Sequence, residues 1–309
     1  MRLDGDAWVR CAAGHRHWGR YGAAGLLLRD RGPGVDRVVL QHRAAWSHQG
    51  DTWGVPGGAR MSTESIVAAA LRETEEEAGI DPAAVRPTAI VIDDHGGWSY
   101  GTVLGGPVAE VHPRATGGES AEVRWVEVAA VDALPLHPGF AAAWPRLRSA
   151  TPGTVLVVDG ANVVGARGGG DRWWRDRAGA TRRLAAALAS LRDGLPATAL
   201  PGSVDPGPVD TVLPRLILVV EGAARAAAEG EPFPGIEMVP APGSGDDAIV
   251  QVAIKAAEAA GSPVRHPVLA VTADRGLRAR LTDAGVPAVG PSWLLRLIDA
   301  PPGARTDGR

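Results

Sequence analysis

Cysteine and lysine are almost absent from this chain of 309 residues. Cys11 is the single cysteine, which excludes a disulfide within one chain. Lys255 is the single lysine, so arginine carries nearly all of the positive side-chain charge. Alanine, glycine and proline are abundant, and we interpret this bias as a property of the genome's composition rather than of a function.

Long apolar runs and a strong net charge are also missing. No run approaches the roughly 18 apolar residues of a membrane span, and the N-terminus lacks the charged and then apolar pattern of a signal peptide. The formal net charge of −3 is too small to predict general attraction to nucleic acid or to a membrane surface. We therefore expect a cytoplasmic protein without a membrane partner. The sequence leaves the oligomeric state open.

The length favours two domains, because a domain averages roughly 150 residues. We place the first domain at 1–145 and the second at 154–299. The stretch between them, 146–153, contains proline, arginine and serine without an apolar period, which is typical of a linker. The last residues, 300–309, predict a disordered tail.

The most informative stretch runs from Gly58 to Ile80 and predicts a loop that leads into an acidic helix. Glu73, Glu76 and Glu77 stand at i, i+3 and i+4, so their carboxylates project from one narrow face of that helix. Clustered like charges cost roughly a few tenths of a kcal/mol per pair. A divalent cation such as Mg²⁺, which prefers oxygen ligands, would offset that cost. A solvated acidic surface is the alternative.

The same stretch, GARMSTESIVAAALRETEEEAGI, resembles the Nudix box. Gly58 is followed by Glu64, then by Arg72 and Glu73, and the run closes on EEAGI. Thr74 departs from the family pattern, which prefers a bulky apolar residue there. Because Thr74 lies on the core-facing arc, we expect a slightly looser helix seat and unchanged chemistry.

The resemblance implies an α/β/α sandwich with a mixed sheet and a metal-assisted hydrolysis. The substrate would be a nucleoside diphosphate linked to another moiety, and the cofactor would be Mg²⁺ or Mn²⁺. Glu64 and Arg72 would orient the ligands, and one of the glutamates, left open, would serve as base. The implied metal ligands are the carbonyl of Gly58 and the carboxylates of Glu73, Glu76 and Glu77.

Residues outside the box offer further candidates. Glu122 precedes the Arg-Trp-Val run at 124–126, where many Nudix proteins place another acidic ligand or base; otherwise it is a charge at a strand edge. A loop before the box carries aromatic and basic groups that could stack on a base and pair with phosphate. The alternative there is an ordinary surface loop with a fixed Trp53. The loop residues are His42, Arg43, Trp46 and His48.

Cys11, His15 and His17 form the pattern C-x₃-H-x-H, which suggests zinc. Three ligands within so short a stretch lack a fourth, and the Nudix box needs no zinc. We interpret these residues as a buried thiol and two surface histidines, with their role left open.

Short apolar and β-branched runs predict the remaining elements. In the first domain they lie at 21–28, 38–41, 88–92, 98–104 and 123–126, which favours a mixed sheet with flanking helices. In the second domain, strands at 154–158, 216–220 and 268–271 alternate with helical periods at 178–191, 247–260 and 277–284. This alternation predicts a parallel-sheet α/β domain.

Each predicted strand of the second domain ends in an acidic residue: Asp159, Glu221 or Asp274. The carboxyl ends of parallel strands meet at one crevice, where ligands bind. Asp246 and Asp247 begin a helix and add to this set. Singly, each acid is explained as a cap or a turn residue.

The order VVDGAN, VVEG, GDDAI and VTADRGLRARLTDAG resembles the NYN family of PIN-like nucleases. The resemblance implies Mg²⁺ held by Asp159, Asp247 and Asp274, with Asn162 and Asp246 close by. Glu221 departs from the aspartate that the family pattern has at its position.

A segment rich in arginine and tryptophan lies beside this predicted site and could follow single-stranded RNA. A solvated loop is the alternative. The segment contains Arg167, Arg172, Arg175, Arg177, Arg182 and Arg183 with Trp173 and Trp174. The Pro- and Gly-rich stretch 195–214 predicts a flexible insertion.

We therefore predict a metal-dependent Nudix pyrophosphohydrolase with a C-terminal domain that binds or cleaves RNA. Two alternatives stay open. The first domain could sense a nucleotide and regulate the second, or the nuclease domain could lead in RNA processing. Three intact glutamates favour the enzyme, because a sensor does not need all of them.

Overall fold

The computed structural model describes residues 4–150, 153–167, 173–258 and 267–300. The chain divides into two compact units. Unit 1 consists of Met1–Ala150 with Gly207–Asp210, and unit 2 of Thr151–Pro206 with Thr211–Arg309. Within unit 1, the carboxylate of Asp210 accepts a hydrogen bond of 2.6 Å from the amide of Ile92 and pairs with Arg146 at 2.9 Å.

Unit 1 is built on a mixed sheet, as the sequence predicts. The strands follow the order β7-β8-β3-β4-β5, with β6 paired to β3 and β9 paired to β4. β3 and β8 are parallel, whereas β3–β4, β7–β8 and β4–β9 are antiparallel, and β1 and β2 form a separate hairpin. The elements are β1 Trp8–Arg10, β2 Arg16–Trp18, β3 Ala23–Asp30, β4 Arg37–Arg43, β5 Trp53–Gly54, β6 Gly57–Ala59, α1 Ile66–Ala78, β7 Val85–Asp94, β8 Ser99–Pro107, β9 Ser120–Glu127 and α2 Pro138–Ser149.

The core of unit 1 forms around β3. Successive side chains of a strand point to opposite faces, and Leu26, Leu27 and Leu28 are all buried, so both faces of this strand are covered. α2 adds the buried side chains of Trp144 and Leu147. Because α2 continues to residue 149, the predicted domain end at 145 lies inside a helix, and the predicted linker 146–153 begins within it.

Local chemistry fixes both ends of α1. The hydroxyl of Ser65 accepts a hydrogen bond of 3.1 Å from the amide of Ala68 and caps the first turn. Gly79 ends the helix in the left-handed conformation, with φ of 63°, and its amide donates to the carbonyl of Glu75. The hydroxyl of the buried Thr74 donates to the carbonyl of Ala70, so its burial leaves no unpaired polar group.

Unit 2 contains a parallel sheet of the order β14-β13-β10-β15-β16 in its described residues. β11 and β12 pair antiparallel. The elements are β10 Val155–Asp159, α3 Gly160–Arg167, α4 Arg177–Leu188, β11 Leu195–Pro196, β12 Thr211–Val212, β13 Arg215–Val220, β14 Ile236–Pro240, α5 Gly245–Ala257, β15 Val268–Val271, α6 Arg275–Asp283, β16 Ala288–Val289 and α7 Pro291–Asp299.

The central strand β10 is buried along its whole length, and the face of α5 packs on it through Ile249 and Ala253. The stretch 195–214 differs from the flexible insertion that its composition predicts. Leu195, Leu200 and Val212 are buried in it, because apolar side chains alternate with its proline and glycine turns. The predicted tail from 301 onward lies outside the described residues.

Candidate active site

The acidic helix α1 faces the glycine strand β6. The amide of Gly57 donates a hydrogen bond of 2.8 Å to the carboxylate of Glu77. A Cβ atom at Gly58 would lie 2.6 Å from Oε2 of Glu73. Glycine at position 58 therefore lets the Glu73 carboxylate lie directly against the backbone. The glycine segment that begins the predicted box and the acidic helix that ends it are therefore in contact here.

Arg72 holds the glutamates of the site in position. Its guanidinium donates to Glu64 at 2.7 and 3.0 Å, and Nη1 also donates to Glu73 at 2.7 Å and to Glu76 at 3.2 Å. A further bond of 3.0 Å reaches the carbonyl of Ala59. Hydrogen bonding to Glu64 is the main cause that raises the pKa of Arg72, and the bond from Arg72 lowers the pKa of Glu64. Both groups are therefore charged at neutral pH.

The three glutamates differ in how far they are buried. Burial raises the pKa of Glu77 to about 7, partly offset by the bond from Gly57, and it raises the pKa of Glu73 against the pull of Arg72. The Glu76 side chain is 56% exposed. Two carboxylates are thus held in a weakly solvated place, where their ionised form is costly unless a cation accompanies it.

Sequence reasoning assigned no role to Gln41 and Tyr100, which lie beside Glu77. Gln41 is fully buried and donates 2.7 Å to the hydroxyl of Ser120, while its Oε1 has no hydrogen-bond partner among the described residues. Burial, followed by the charge of Glu77, raises the pKa of Tyr100. Each lies on a strand that was predicted, but the sequence carries no signal that turns these side chains toward the glutamates.

The donors of this site are carboxylate oxygens, the ligands that a hard divalent cation takes, and Arg72 occupies those of Glu73 and Glu76 in this structure. Glu73, Glu76 and Glu77 project from one helix beside the Gly58 backbone, and Gly58 leaves room for a carboxylate next to its carbonyl. Mg²⁺ and Mn²⁺ accept such oxygen ligands together with phosphate oxygens and water.

Glu122 makes a different contact. Its carboxylate pairs with Arg124 at 3.0 Å, and its strand β9 places it opposite His42 on β4. The Arg124 guanidinium lies 4.8 Å from the ring centroid of Trp53, which stacks on His42 at 4.9 Å. Trp53 is buried and already stacked, whereas Trp46 of the same loop region is 73% exposed.

In unit 2, the acidic strand ends converge on a pocket of about 290 Å³. Asp159 ends β10, Glu221 follows β13 and Asp274 follows β15, so the carboxyl edge of the parallel sheet brings them together. The described residues that line the pocket are Asp159, Ala161, Asn162, Val219, Glu221, Gly245, Asp246, Ile249 and Asp274.

Hydrogen bonds hold the pocket carboxylates. Asp159 accepts from the amide of Asn162 at 3.0 Å and from the hydroxyl of Thr272 at 2.9 Å. Glu221 accepts from the amide of Gly245 at 2.9 Å. Burial raises the pKa of Asp159, and it also raises the pKa of Asp246.

The structure places Asp246, not the predicted Asp247, in this pocket. The Asp247 side chain is 62% exposed and pairs with Arg280 at 2.6 Å. Successive helix residues are turned by about 100°, so the phase of α5 sends one aspartate into the pocket and its neighbour to the surface. Asp274 lines the pocket and also caps α6 through a bond of 2.8 Å from the amide of Leu277.

The arginine and tryptophan segment is partly engaged within unit 2. Arg167 pairs with Asp299 at 2.7 Å, and Arg182 donates to the carbonyl of Ala227. Trp174 and Arg175 are exposed. Arg172 lies outside the described residues.

Comparisons with known proteins match unit 1. The NUDIX domain family matches residues 19–147. A Mycobacterium tuberculosis protein named "Putative 8-oxo-dGTP diphosphatase 3" is 51% identical over 167 residues, which cover 51% of this chain and 75% of that relative. A "Nucleoside triphosphate pyrophosphatase/Nudix hydrolase fusion protein" from Bifidobacterium longum is 46% identical over 151 residues, covering 47% of this chain and 31% of that protein.

Among solved structures, the Nudix hydrolase RenU from M. smegmatis is 48% identical, with 47% of this chain and 93% of that chain covered and a TM-score of 0.44. The family match and the sequence relatives define a hydrolase that acts on acid anhydrides in phosphorus-containing compounds. The chain belongs to the Nudix family. In the part of the chain that the structure describes, no helix has the length and apolar character needed to cross a membrane.

Proposed function

We propose that unit 1 is a divalent-metal-dependent pyrophosphohydrolase that cleaves a nucleoside diphosphate linked to another moiety. The observation that carries this proposal is the packing of Glu73 and Glu77 against the Gly57–Gly58 backbone, with Arg72 joining Glu73 to Glu76. The name of the M. tuberculosis relative makes 8-oxo-dGTP the first substrate to test.

The metal would be held by Glu73, Glu76 and Glu77 with the carbonyl of Gly58. When bound, Mg²⁺ or Mn²⁺ supplies charge neutralisation at the diphosphate and lowers the pKa of a coordinated water. The protein's own residues supply position. Arg72 fixes Glu73 and Glu76 relative to each other, and Gly57 fixes Glu77 through its amide.

Glu76 is the exposed member of the triplet, so a charged substrate can reach its carboxylate. Arg43 ends β4, and Trp46 lies in the loop that follows, where its exposed ring could stack on a base. Glu122 remains a proposed ligand that would have to exchange Arg124 for the cation.

A substrate screen tests the proposal. With Mg²⁺ or Mn²⁺ present, the full-length protein should cleave 8-oxo-dGTP, dGTP, a nucleotide sugar or a dinucleoside polyphosphate. The expected products are pyrophosphate or phosphate from a triphosphate, a nucleoside monophosphate and a sugar phosphate from a nucleotide sugar, and two nucleotides from a dinucleoside polyphosphate, all separated by ion chromatography. Chelation of the metal should abolish turnover, and added metal should restore it. A folded protein that turns over none of these classes with either ion would contradict the assignment and favour a nucleotide sensor.

A second function is proposed for unit 2, namely metal-dependent binding and cleavage of single-stranded RNA in a PIN-like domain. The supporting observation is the pocket lined by Asp159, Glu221, Asp246 and Asp274 at the carboxyl ends of parallel strands. Convergent carboxylates can place metal ions on either side of a scissile phosphate. We assign Asp246 to this set in place of Asp247, which is paired with Arg280.

A labelled single-stranded RNA tests this second proposal. Cleavage with Mn²⁺ should be lost in Asp159→Asn and kept in Asp283→Asn, an exposed aspartate near the far end of α6. Binding should weaken steeply with salt, and Arg175→Glu should flatten that dependence. RNA that is neither retained at low salt nor cut would leave unit 1 as the sole source of chemistry and exclude a nuclease that leads in RNA processing.

A further inference from the structure

Four potential metal ligands come together in unit 1, away from the acidic residues of α1 in the sequence. They are Cys11, His15, His17 and His95, and their ligand atoms all lie within 4.8 Å of one another. The first three come from the loop between β1 and β2 and its flanking residues. His95 comes from the loop between β7 and β8, and it supplies the fourth ligand that the C-x₃-H-x-H pattern lacks.

Backbone hydrogen bonds hold these two loops against each other. The amide of Cys11 donates to the carbonyl of His15 at 3.1 Å, and the amide of Gly14 donates to the carbonyl of Cys11 at 2.9 Å. The amide of Ala12 then donates 2.8 Å to the carbonyl of Gly96 in the other loop. The ligands therefore lie together because the backbone places them there.

A buried ring nitrogen of His17 that has no partner among the described residues indicates that this site takes a ligand. Its Nε2 is buried and has no hydrogen-bond partner among the described residues, which costs free energy in a protein interior. The ring stacks on Trp98 with 4.0 Å between centroids and 14° between planes, and the Trp98 indole donates 3.0 Å to the carbonyl of Gly19. The ring of His17 is thus fixed, and an unsatisfied nitrogen lies at the cluster.

His95 has the outer partner that metal-bound histidines require. Its Nε2 lies 3.1 Å from the carboxylate of Asp93, which leaves Nδ1 for another partner. A carboxylate on one ring nitrogen orients the imidazole and strengthens the other nitrogen as a ligand. Its ring centroid is 4.6 Å from that of His17, so the two rings adjoin.

We propose that Cys11, His15, His17 and His95 bind one zinc ion in a structural site. One thiolate and three imidazoles are a ligand set suited to tetrahedral Zn²⁺. Bond lengths of about 2.0–2.3 Å place such ligands roughly 3.3–3.7 Å apart in a tetrahedron. Separations of up to 4.8 Å need to close by about 1 Å, which the exposed side chain of His15 can provide by rotation.

Four protein ligands fill the coordination of the ion, which is the arrangement of a structural rather than a catalytic zinc. The ion ties the β1–β2 hairpin, which is outside the main sheet, to the turn of the β7–β8 hairpin. Without zinc, a small two-stranded hairpin relies on few contacts for its stability. The site serves the fold of unit 1 and takes no part in the proposed hydrolysis.

Metal content of the full-length protein tests this inference. The protein is purified without chelator from zinc-supplemented cells and dialysed against excess Mg²⁺. It should retain about one zinc per chain, measured by inductively coupled plasma mass spectrometry. Cys11→Ser and His95→Ala should reduce the zinc content to background. His15→Ala should do the same, and because its side chain is exposed the variant should fold normally. His112→Ala is the matched control, since that histidine is 80% exposed and lies outside the cluster.

Cobalt provides a second readout. Metal-free protein reconstituted with Co²⁺ should show the visible absorption of a tetrahedral site and a thiolate charge-transfer band, and this band must come from Cys11 because the chain has no other cysteine. The Glu76→Gln variant should keep both zinc and the band, which separates this site from the hydrolase site. Zinc-free protein that shows no thiolate band with cobalt would overturn the inference. Equal zinc contents in His15→Ala, His95→Ala and His112→Ala, or stoichiometric copper or nickel in place of zinc, would overturn it as well.

Discussion

The amide of Gly57 donates a 2.8 Å hydrogen bond to the carboxylate of Glu77, joining a strand end to a helix face twenty positions further along the chain. This bond fixes the distance between the glycine loop and α1. The neighbouring Gly58 and Glu73 depend on that distance, because a Cβ atom at position 58 would collide with the Glu73 carboxylate. The candidate site is thus set by backbone approach as well as by its acidic side chains.

Replacement of Glu76 by glutamine should lower kcat by about a hundredfold or more, with the fold unchanged. The exposed Glu76 carboxylate would lose its charge but keep its shape, so the loss would be electrostatic. Steady-state kinetics on the substrate found in the screen measures it. Glu75→Gln, one position away and exposed on another side of α1, is the control. Wild-type kcat in Glu76→Gln would exclude Glu76 from the metal site.

Gly58→Ala should reduce kcat by about a hundredfold while the thermal midpoint changes little. The added methyl group would displace the end of the flexible Glu73 side chain rather than the backbone, and a shift of about 1 Å at a reacting centre has this scale of effect. Gly118→Ala is the control, because a Cβ there meets nothing within 4 Å. Equal kinetics for the two variants would refute the close packing at Gly58.

Arg72→Lys should lower kcat about 10- to 100-fold with a smaller change in KM. Lysine keeps the positive charge but cannot make the paired bonds to Glu64 together with those to Glu73 and Glu76. Loss of charge-assisted bonds at this half-buried place should also cost about 1.5–3 kcal/mol of unfolding free energy. Arg148→Lys, in an exposed pair with Asp132, should change neither quantity. A rise in KM with kcat unchanged would show that Arg72 acts on substrate binding.

His137 should make the stability of unit 1 depend on pH. Burial, followed by the charges of Arg43 and His48, lowers the pKa of His137 below its ordinary value of 6.5. Below pH 6.5 the unfolded chain binds a proton at His137 more readily than the folded protein does. The stability is therefore undiminished above pH 6.5 and decreases as the pH falls below that value. In His137→Gln the denaturation midpoint should depend less on pH, over about pH 5 to 8, than it does in wild type. His112→Gln should leave the profile unchanged, and an identical slope in both variants would contradict the prediction.

Truncation should show where unit 1 ends. A fragment of residues 1–150 should be more stable than one of residues 1–145, the predicted first domain. The shorter fragment cuts α2 and removes the buried Leu147, which corresponds to a loss of about 2–5 kcal/mol. Chemical denaturation of the two fragments gives the difference, and their hydrolase activities show whether either acts alone. Equal stability would mean that the last turn of α2 contributes nothing to the fold.

Most helices and strands of both units can be predicted from the sequence, because burial imposes apolar patterns of short period along the chain. The apolar run at 21–28 lies largely in β3, and the period of the acidic stretch marks α1. The mixed sheet followed from these runs together with the resemblance to the Nudix box. The box itself is local, so the helical spacing predicts that Glu73, Glu76 and Glu77 share one face, whereas the role of Arg72 beside Glu64 was implied only by the resemblance.

Long-range neighbours could not be read in this way. His95 joins Cys11 only because two hairpin turns meet, and nothing in the spacing of either segment records that meeting. The choice between Asp246 and Asp247 depends on the rotational phase of α5, which follows from the packing of its buried residues. Gln41 and Tyr100 approach Glu77 from strands whose side-chain directions depend on register.

The bonds that the Asp210 carboxylate accepts from the Ile92 amide and from Arg146 also affect the order of events during synthesis. A ribosome adds residues from the N-terminus onward, and domains generally fold in that order. Residues 207–210 leave the ribosome long after residue 150, so unit 1 receives its last part only when more than a third of unit 2 has already emerged. A ribosome that stalls between residues 150 and 207 would therefore hold a unit 1 that lacks Asp210 and its contacts with Ile92 and Arg146.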